Sequence, residues 1–108
     1  MSERDDAPGR SLALAELTYT EVAERMAEAG RKVAILPVGS TEAHGPHLPL
    51  CTDSLISTAV AARAAAELER HGVIAVYFPT IHYAVTDWAG EFTGSVSIAA
   101  TVAVGGGP

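Results

Sequence analysis

Apolar side chains recur at helical spacing in an early stretch, Val22, Met26 and Ala29, directly after Thr18-Tyr19-Thr20-Glu21. That tetrapeptide has the form of a capping box, in which the Thr18 hydroxyl accepts from the Glu21 amide and the Glu21 carboxylate reaches back. A helix is therefore predicted from about residue 19, closed by Gly30 and Arg31-Lys32. The pattern then changes. Val33-Ala34-Ile35-Leu36-Pro37-Val38 is apolar without alternation, as expected of a strand buried on both faces of a parallel sheet, and Pro37, with no N–H to give, should end it. An Ala-rich helix is predicted from Ser54 to about Arg70, with Leu55, Val60 and Leu68 among its larger apolar residues and Gly72 as its stop. Val73 to Phe78 repeats the buried-strand pattern, so residues 33–78 read as strand, crossover helix, parallel strand. Ser95-Val96-Ser97-Ile98 offers a third short strand.

The ends carry little that can pack. Residues 1–11 are predicted to be a disordered tail, residues 12–108 form the domain, and Gly105-Gly106-Gly107-Pro108 can form no packed element. A parallel sheet needs helices on both faces, yet two or three strands are accompanied by only two convincing helices, so the α/β unit is expected to be incomplete.

Composition narrows the function. Of 108 residues, 48% are hydrophobic and 19% charged, a globular profile, and 7 basic against 13 acidic side chains give a net charge of −6. Clustered cations are missing, which argues against nucleic acid as a partner. No apolar stretch approaches the ~20 residues of a membrane helix, and a single cysteine, Cys51, fits a reducing compartment, so a cytoplasmic protein without a membrane partner is expected.

Chemistry concentrates in residues 39–53, Gly-Ser-Thr-Glu-Ala-His-Gly-Pro-His-Leu-Pro-Leu-Cys-Thr-Asp, a loop following the first strand. If the chain stays extended there, Glu42 and His44 project to one side, and Asp53 returns at the start of the long helix. Two carboxylates and an imidazole suit a divalent cation of the Zn or Mn type, and a bridging Asp could hold two ions. Each residue also has a plainer reading: Asp53 as a helix N-cap, His44 and His47 as loop histidines, Glu42 as a solvated charge, and Cys51 as an inert thiol. A phosphate-binding loop is disfavoured, because Gly39 is followed by Ser-Thr-Glu-Ala-His rather than a Gly-rich turn into a helix.

Residues 36–53 resemble the signature of the creatininase family, metal-dependent amidohydrolases, and Pro79 to Asp87 with Glu91 to Ile98 resembles the family's second block. The resemblance covers roughly residues 12–98, an amino-terminal portion, and implies a three-layer α/β/α fold with a mostly parallel sheet. It further implies two divalent ions, Zn or Mn with Fe also open, with Glu42 on one, His44 on the other and Asp53 bridging. Water activated by the pair would attack the carbon of a small-molecule or peptide amide. The intact form would be a homo-oligomer. Ala43 stands where many members carry Gln, Cys51 where Gly or an acid is common, and Thr93-Gly94-Ser95 replaces Pro-Gly-Thr. The family's further His and Glu ligands come from a later Gly- and Asn-rich segment that this sequence does not reach; His71 and His82 are not candidates to replace them. The chain is accordingly expected to be truncated, and the competing expectation is an inactive remnant that binds metal or oligomerises.

Overall fold

The computed structural model describes residues 11–99 and divides the chain into two compact units, Met1–Pro37 with Ala59–Pro79, and Val38–Thr58 with Thr80–Pro108. Expectations for residues 1–10 and for the Gly-rich end lie outside the described residues. The architecture is α/β with a parallel sheet, as the sequence predicts.

In the first unit, helix α1 spans Tyr19–Ala27 behind the predicted capping box: the Glu21 amide donates to Thr18 Oγ1 at 3.1 Å and the Thr18 amide to Glu21 Oε1 at 2.8 Å. Strands β1 (Lys32–Ile35) and β2 (Ile74–Tyr77) pair in parallel, Lys32 opposite Ile74 and Ile35 opposite Tyr77. Helix α2, Thr52–Arg70, connects them in sequence and ends at Gly72, whose positive φ of 82° lets the Val73 amide turn back to the Leu68 carbonyl at 3.0 Å.

The strands are not buried on both faces. Ile35, Ala75 and Tyr77 pack with Ala65, Ala66, Leu68 and Leu12, which makes one covered face. The other face, carrying Ala34, Val76 and Phe78, opens into an apolar groove of about 410 Å³ shared with Val22 and Met26. The predicted apolar stripe of α1 fails for a local reason. Arg25, 7% exposed, is the residue drawn inward, and Nη2 donates to the Ser11 carbonyl at 2.6 Å, while Met26 stays exposed and Ala29 lies beyond the helix end. On α2 the small Ala61, Ala65 and Ala66 are buried while Leu55 and Val60 remain exposed, because the helix presents alanines to the sheet.

The edge of β2 is covered by hydrogen bonds. Tyr77 donates its amide to the Leu12 carbonyl at 2.9 Å, and the Ala75 amide donates to Glu69 Oε2 at 2.7 Å. Two residues before Glu69, hydrogen bonds from Arg70 and then His71 hold the Glu67 carboxyl below its usual range. The small stabilisation from that exposed group is present above the unfolded carboxylate value and is lost as pH falls through the lowered folded one. Among the described residues, no helix is long and apolar enough to cross a membrane.

Replacing Glu69 by Ala strands the Ala75 amide, in a residue only 1% exposed, and should cost about 1–3 kcal/mol in urea unfolding. Glu67→Ala removes only surface pairing and should leave the midpoint nearly unchanged.

Candidate metal centre

The second unit begins where Val38 makes an isolated parallel bridge to Ile81 and the Gly39 amide donates to the Ile81 carbonyl at 2.7 Å. Gly39 is buried against the first turn of α2. A Cβ there would stand 2.7 Å from Ser54 Cα and 3.0 Å from Ser54 N, distances that no side chain tolerates, so the close approach needs glycine. Two polar contacts follow from that approach: Ser54 Oγ donates to the Ser40 carbonyl at 3.4 Å, and Ser40 Oγ donates to Asp53 Oδ2 at 3.3 Å. Helix α2 starts at Thr52, two residues earlier than the sequence suggests. Asp53 therefore sits inside the first turn rather than capping it, and its carboxylate receives a side-chain hydroxyl.

Beyond Ser40 the backbone is anchored residue by residue. The Thr41 carbonyl accepts from the Val96 amide at 2.8 Å, and Thr41 Oγ1 donates to the His82 carbonyl at 2.9 Å. The Glu42 amide donates to the Leu50 carbonyl at 3.3 Å, the Ala43 amide to Ser95 Oγ at 2.8 Å, and His44 bridges Leu48 across a turn at Gly45. Residues 42–50 thus fold back as a tight loop. Glu42 is half-buried with Oε1 sealed from solvent and lacking any hydrogen-bond partner, Asp53 is half-buried, and His44 and His47 are exposed. Among the described residues, no three His, Cys, Asp or Glu side chains are gathered as a metal ion would require. Cys51 is an exposed free thiol, and His71 pairs with Glu67 at the end of α2.

The predicted third strand is reduced to one bridge, Ala84 to Ser97, because its serines bond sideways instead of continuing a ladder. The Thr86 amide donates to Ser97 Oγ at 2.9 Å, Ser97 Oγ to Asp87 Oδ1 at 2.6 Å, and Thr86 Oγ1 to the Val96 carbonyl at 2.7 Å. This network fixes a 3₁₀ turn, Asp87–Ala89, from which Trp88 projects. Trp88 and Phe92 stand with Pro46 and Leu50 around a cavity of about 480 Å³. Sequence reasoning missed this cavity and the supporting roles of Ser40, Ser95 and Ser97; the alternation of Ser95 and Ser97 with Val96 and Ile98 was the signal that two hydroxyls share a side.

Residues 15–104 match the family profile described as creatininase, creatinine amidohydrolase. The mycofactocin precursor peptide peptidase of Mycobacterium tuberculosis (strain CDC 1551 / Oshkosh) is 44% identical over 69 residues, 59% of this chain and 28% of that protein. The creatinine amidohydrolase of Pseudomonas putida is 42% identical over 74 residues, 68% of this chain and 26% of that protein. Among solved structures, one described as "Creatininase Mn" aligns with a TM-score of 0.77 at 35% identity, covering 89% of this chain and 37% of that one. A crystal structure of creatinine amidohydrolase aligns at 0.76 and 32% identity with the same coverage. The chain thus spans a little over a quarter of the length of the curated relatives it matches.

Gly39→Ala should drive a methyl group into the Ser54 backbone and cost about 1–3 kcal/mol by displacing the loop. Thermal unfolding of the variant measures it, and a chain as stable as the parent would show that the contact yields freely.

Proposed function

The chain belongs to the creatininase family, and from that premise we propose that it is an amino-terminal portion of a metal-dependent amidohydrolase that cleaves the C–N bond of a small-molecule or peptide amide. Glu42, His44 and Asp53 are its candidate ligands for two divalent ions, Zn or Mn, with Fe also compatible with the donor set. The observation that carries this reading is Glu42 Oε1, a buried carboxylate oxygen with no donor in reach. Such an oxygen costs more than a neutral orphan, and a cation is the partner that its chemistry suits.

When bound, the ions supply an activated water and polarise the amide carbonyl. The protein's own residues do the positioning. Ser40 holds one oxygen of Asp53, as partners of metal-binding carboxylates do, and Gly39 fixes Ser40. Ser95 and Leu50 hold the backbone on either side of the Glu42 to Ala43 peptide, which aims the Glu42 carboxylate. Because no three His, Cys, Asp or Glu side chains are gathered among the described residues, a second reading is an inactive remnant that at most binds metal or oligomerises. Chelator-sensitive hydrolysis separates the two.

Zn or Mn at about 100 times its Kd should raise the unfolding free energy by about 2.7 kcal/mol if it binds only the folded chain. Glu42→Gln and Asp53→Ala should each remove most of that rise. Absence of any metal-dependent stabilisation in the parent chain, or an undiminished rise in both variants, would overturn the ligand assignment.

A further inference from the structure

We propose that Ser95 is a positioning residue of the candidate metal centre: its hydroxyl, by taking the Ala43 amide, fixes the direction in which Glu42 leaves the backbone and so sets how tightly that carboxylate holds a cation. This role rests on the reading of Glu42 as a metal ligand, and it gives the segment around Ser95 a task toward the loop that carries the ligands. Three consecutive residues of that segment reach the 41–50 loop. Ser95 Oγ accepts from the Ala43 amide at 2.8 Å, and the Val96 amide donates to the Thr41 carbonyl at 2.8 Å. Gly94, at φ 93°, lies so close to the Leu50 side chain that a Cβ there would stand 2.6 Å from Leu50 Cδ1. The Leu50 carbonyl in turn accepts from the Glu42 amide at 3.3 Å.

Glu42 is bracketed by these contacts. The Thr41 to Glu42 peptide is held at both its carbonyl and its amide, and the Glu42 to Ala43 peptide is held at its amide. A peptide group is planar, so two held planes restrict φ and ψ of Glu42, and the direction of its Cα–Cβ bond follows from them. Two of the three hydrogen bonds run between backbone groups, and the third depends on the Ser95 side chain. That hold matters because of what lies at the end of the Glu42 side chain. Oε1 is sealed from solvent with no donor, and a carboxylate in that state is drawn toward water unless its backbone restrains it. Order that exists before the ion arrives need not be supplied by the ion, so a loosened Glu42 shows as weaker cation binding. Ser97 provides the internal comparison. Two residues further on, its hydroxyl bonds Thr86 and Asp87 rather than the 41–50 loop.

Two measurements test the role, one of them without metal. In the metal-free chain, hydrogen exchange at the Ala43 amide should run about fivefold faster in Ser95→Ala than in the parent, the loss of one hydrogen bond. Titration with zinc should give a Kd about 10–100-fold weaker in the same variant. Ser95→Thr, which keeps the hydroxyl, should match the parent in both measurements, and Ser95→Val, which keeps the shape of threonine without the hydroxyl, should match Ser95→Ala. That pair decides the matter if circular dichroism shows the alanine variant unfolded. Ser97→Ala should bind zinc as the parent does. Ala43 exchange or zinc affinity unchanged in the variants without the hydroxyl, threonine behaving like valine, or an equal loss of zinc affinity in Ser97→Ala overturns the positioning role. Zinc bound equally by the parent and Ser95→Ala sinks Ser95 alone, whereas a parent that takes up no zinc removes the Glu42 ligand reading and this role with it.

Discussion

Where Gly39 meets Ser54, backbone packs against backbone, and the space that any side chain would need is taken up by the first turn of α2. Much of the candidate site descends from that contact. It brings the Ser40 hydroxyl to Asp53 and the Ser54 hydroxyl to the Ser40 carbonyl, so a loop with no regular structure of its own acquires a fixed origin on a helix. From that origin the loop is held outward in steps, Thr41 by Val96 and His82, Glu42 by Leu50, and Ala43 by Ser95. Loops placed by a rigid neighbour are where binding groups are usually carried, and here the placement is made by hydroxyls and peptide groups rather than by an apolar core.

The first unit solves a different problem, a sheet with one face covered. Its polar edge cannot be left unsatisfied, and the solution uses charged side chains as extensions of the ladder: Glu69 accepts the Ala75 amide, and buried Arg25 reaches the Ser11 carbonyl. Charged donors and acceptors make stronger hydrogen bonds than neutral ones. That choice explains why α1 buries an arginine where its apolar spacing pointed to methionine. Arg25 is buried while Met26 stays exposed, and both line the apolar groove beside Val76 and Phe78.

Legibility in the sequence followed the range of the interactions involved. The capping box, the Gly72 stop, the end of β1 before Pro37 and the parallel pairing of β1 with β2 all rest on local backbone rules or on one apolar period, and each appears where residues 18–78 place it. The family likeness was legible too, from the long block at 36–53 and the block at 79–98. What could not be read was side-chain traffic between distant segments. Nothing near Ala43 announces that its amide will be held from Ser95, and an apolar run cannot say which of its faces a helix will cover. Past His44 the chain turns back at Gly45, with φ 77°, and His44 is exposed while Glu42 is half-buried.

The Glu42 carboxylate remains the least comfortable group in the second unit. A fold selected for stability alone would give Oε1 a donor or replace it with an apolar group of similar shape, which can be close to neutral in energy. Donors were within the loop's means, since the hydroxyls of Ser40 and Thr41 lie along the same path, yet they go to the Asp53 carboxylate and the His82 carbonyl. An expensive orphan at the centre of an otherwise well-satisfied network is the pattern of a site whose missing partner comes from outside the chain. Trp88 and Phe92, carried on a segment fastened to the same loop through Ser95, line a separate apolar cavity that offers the carboxylate nothing.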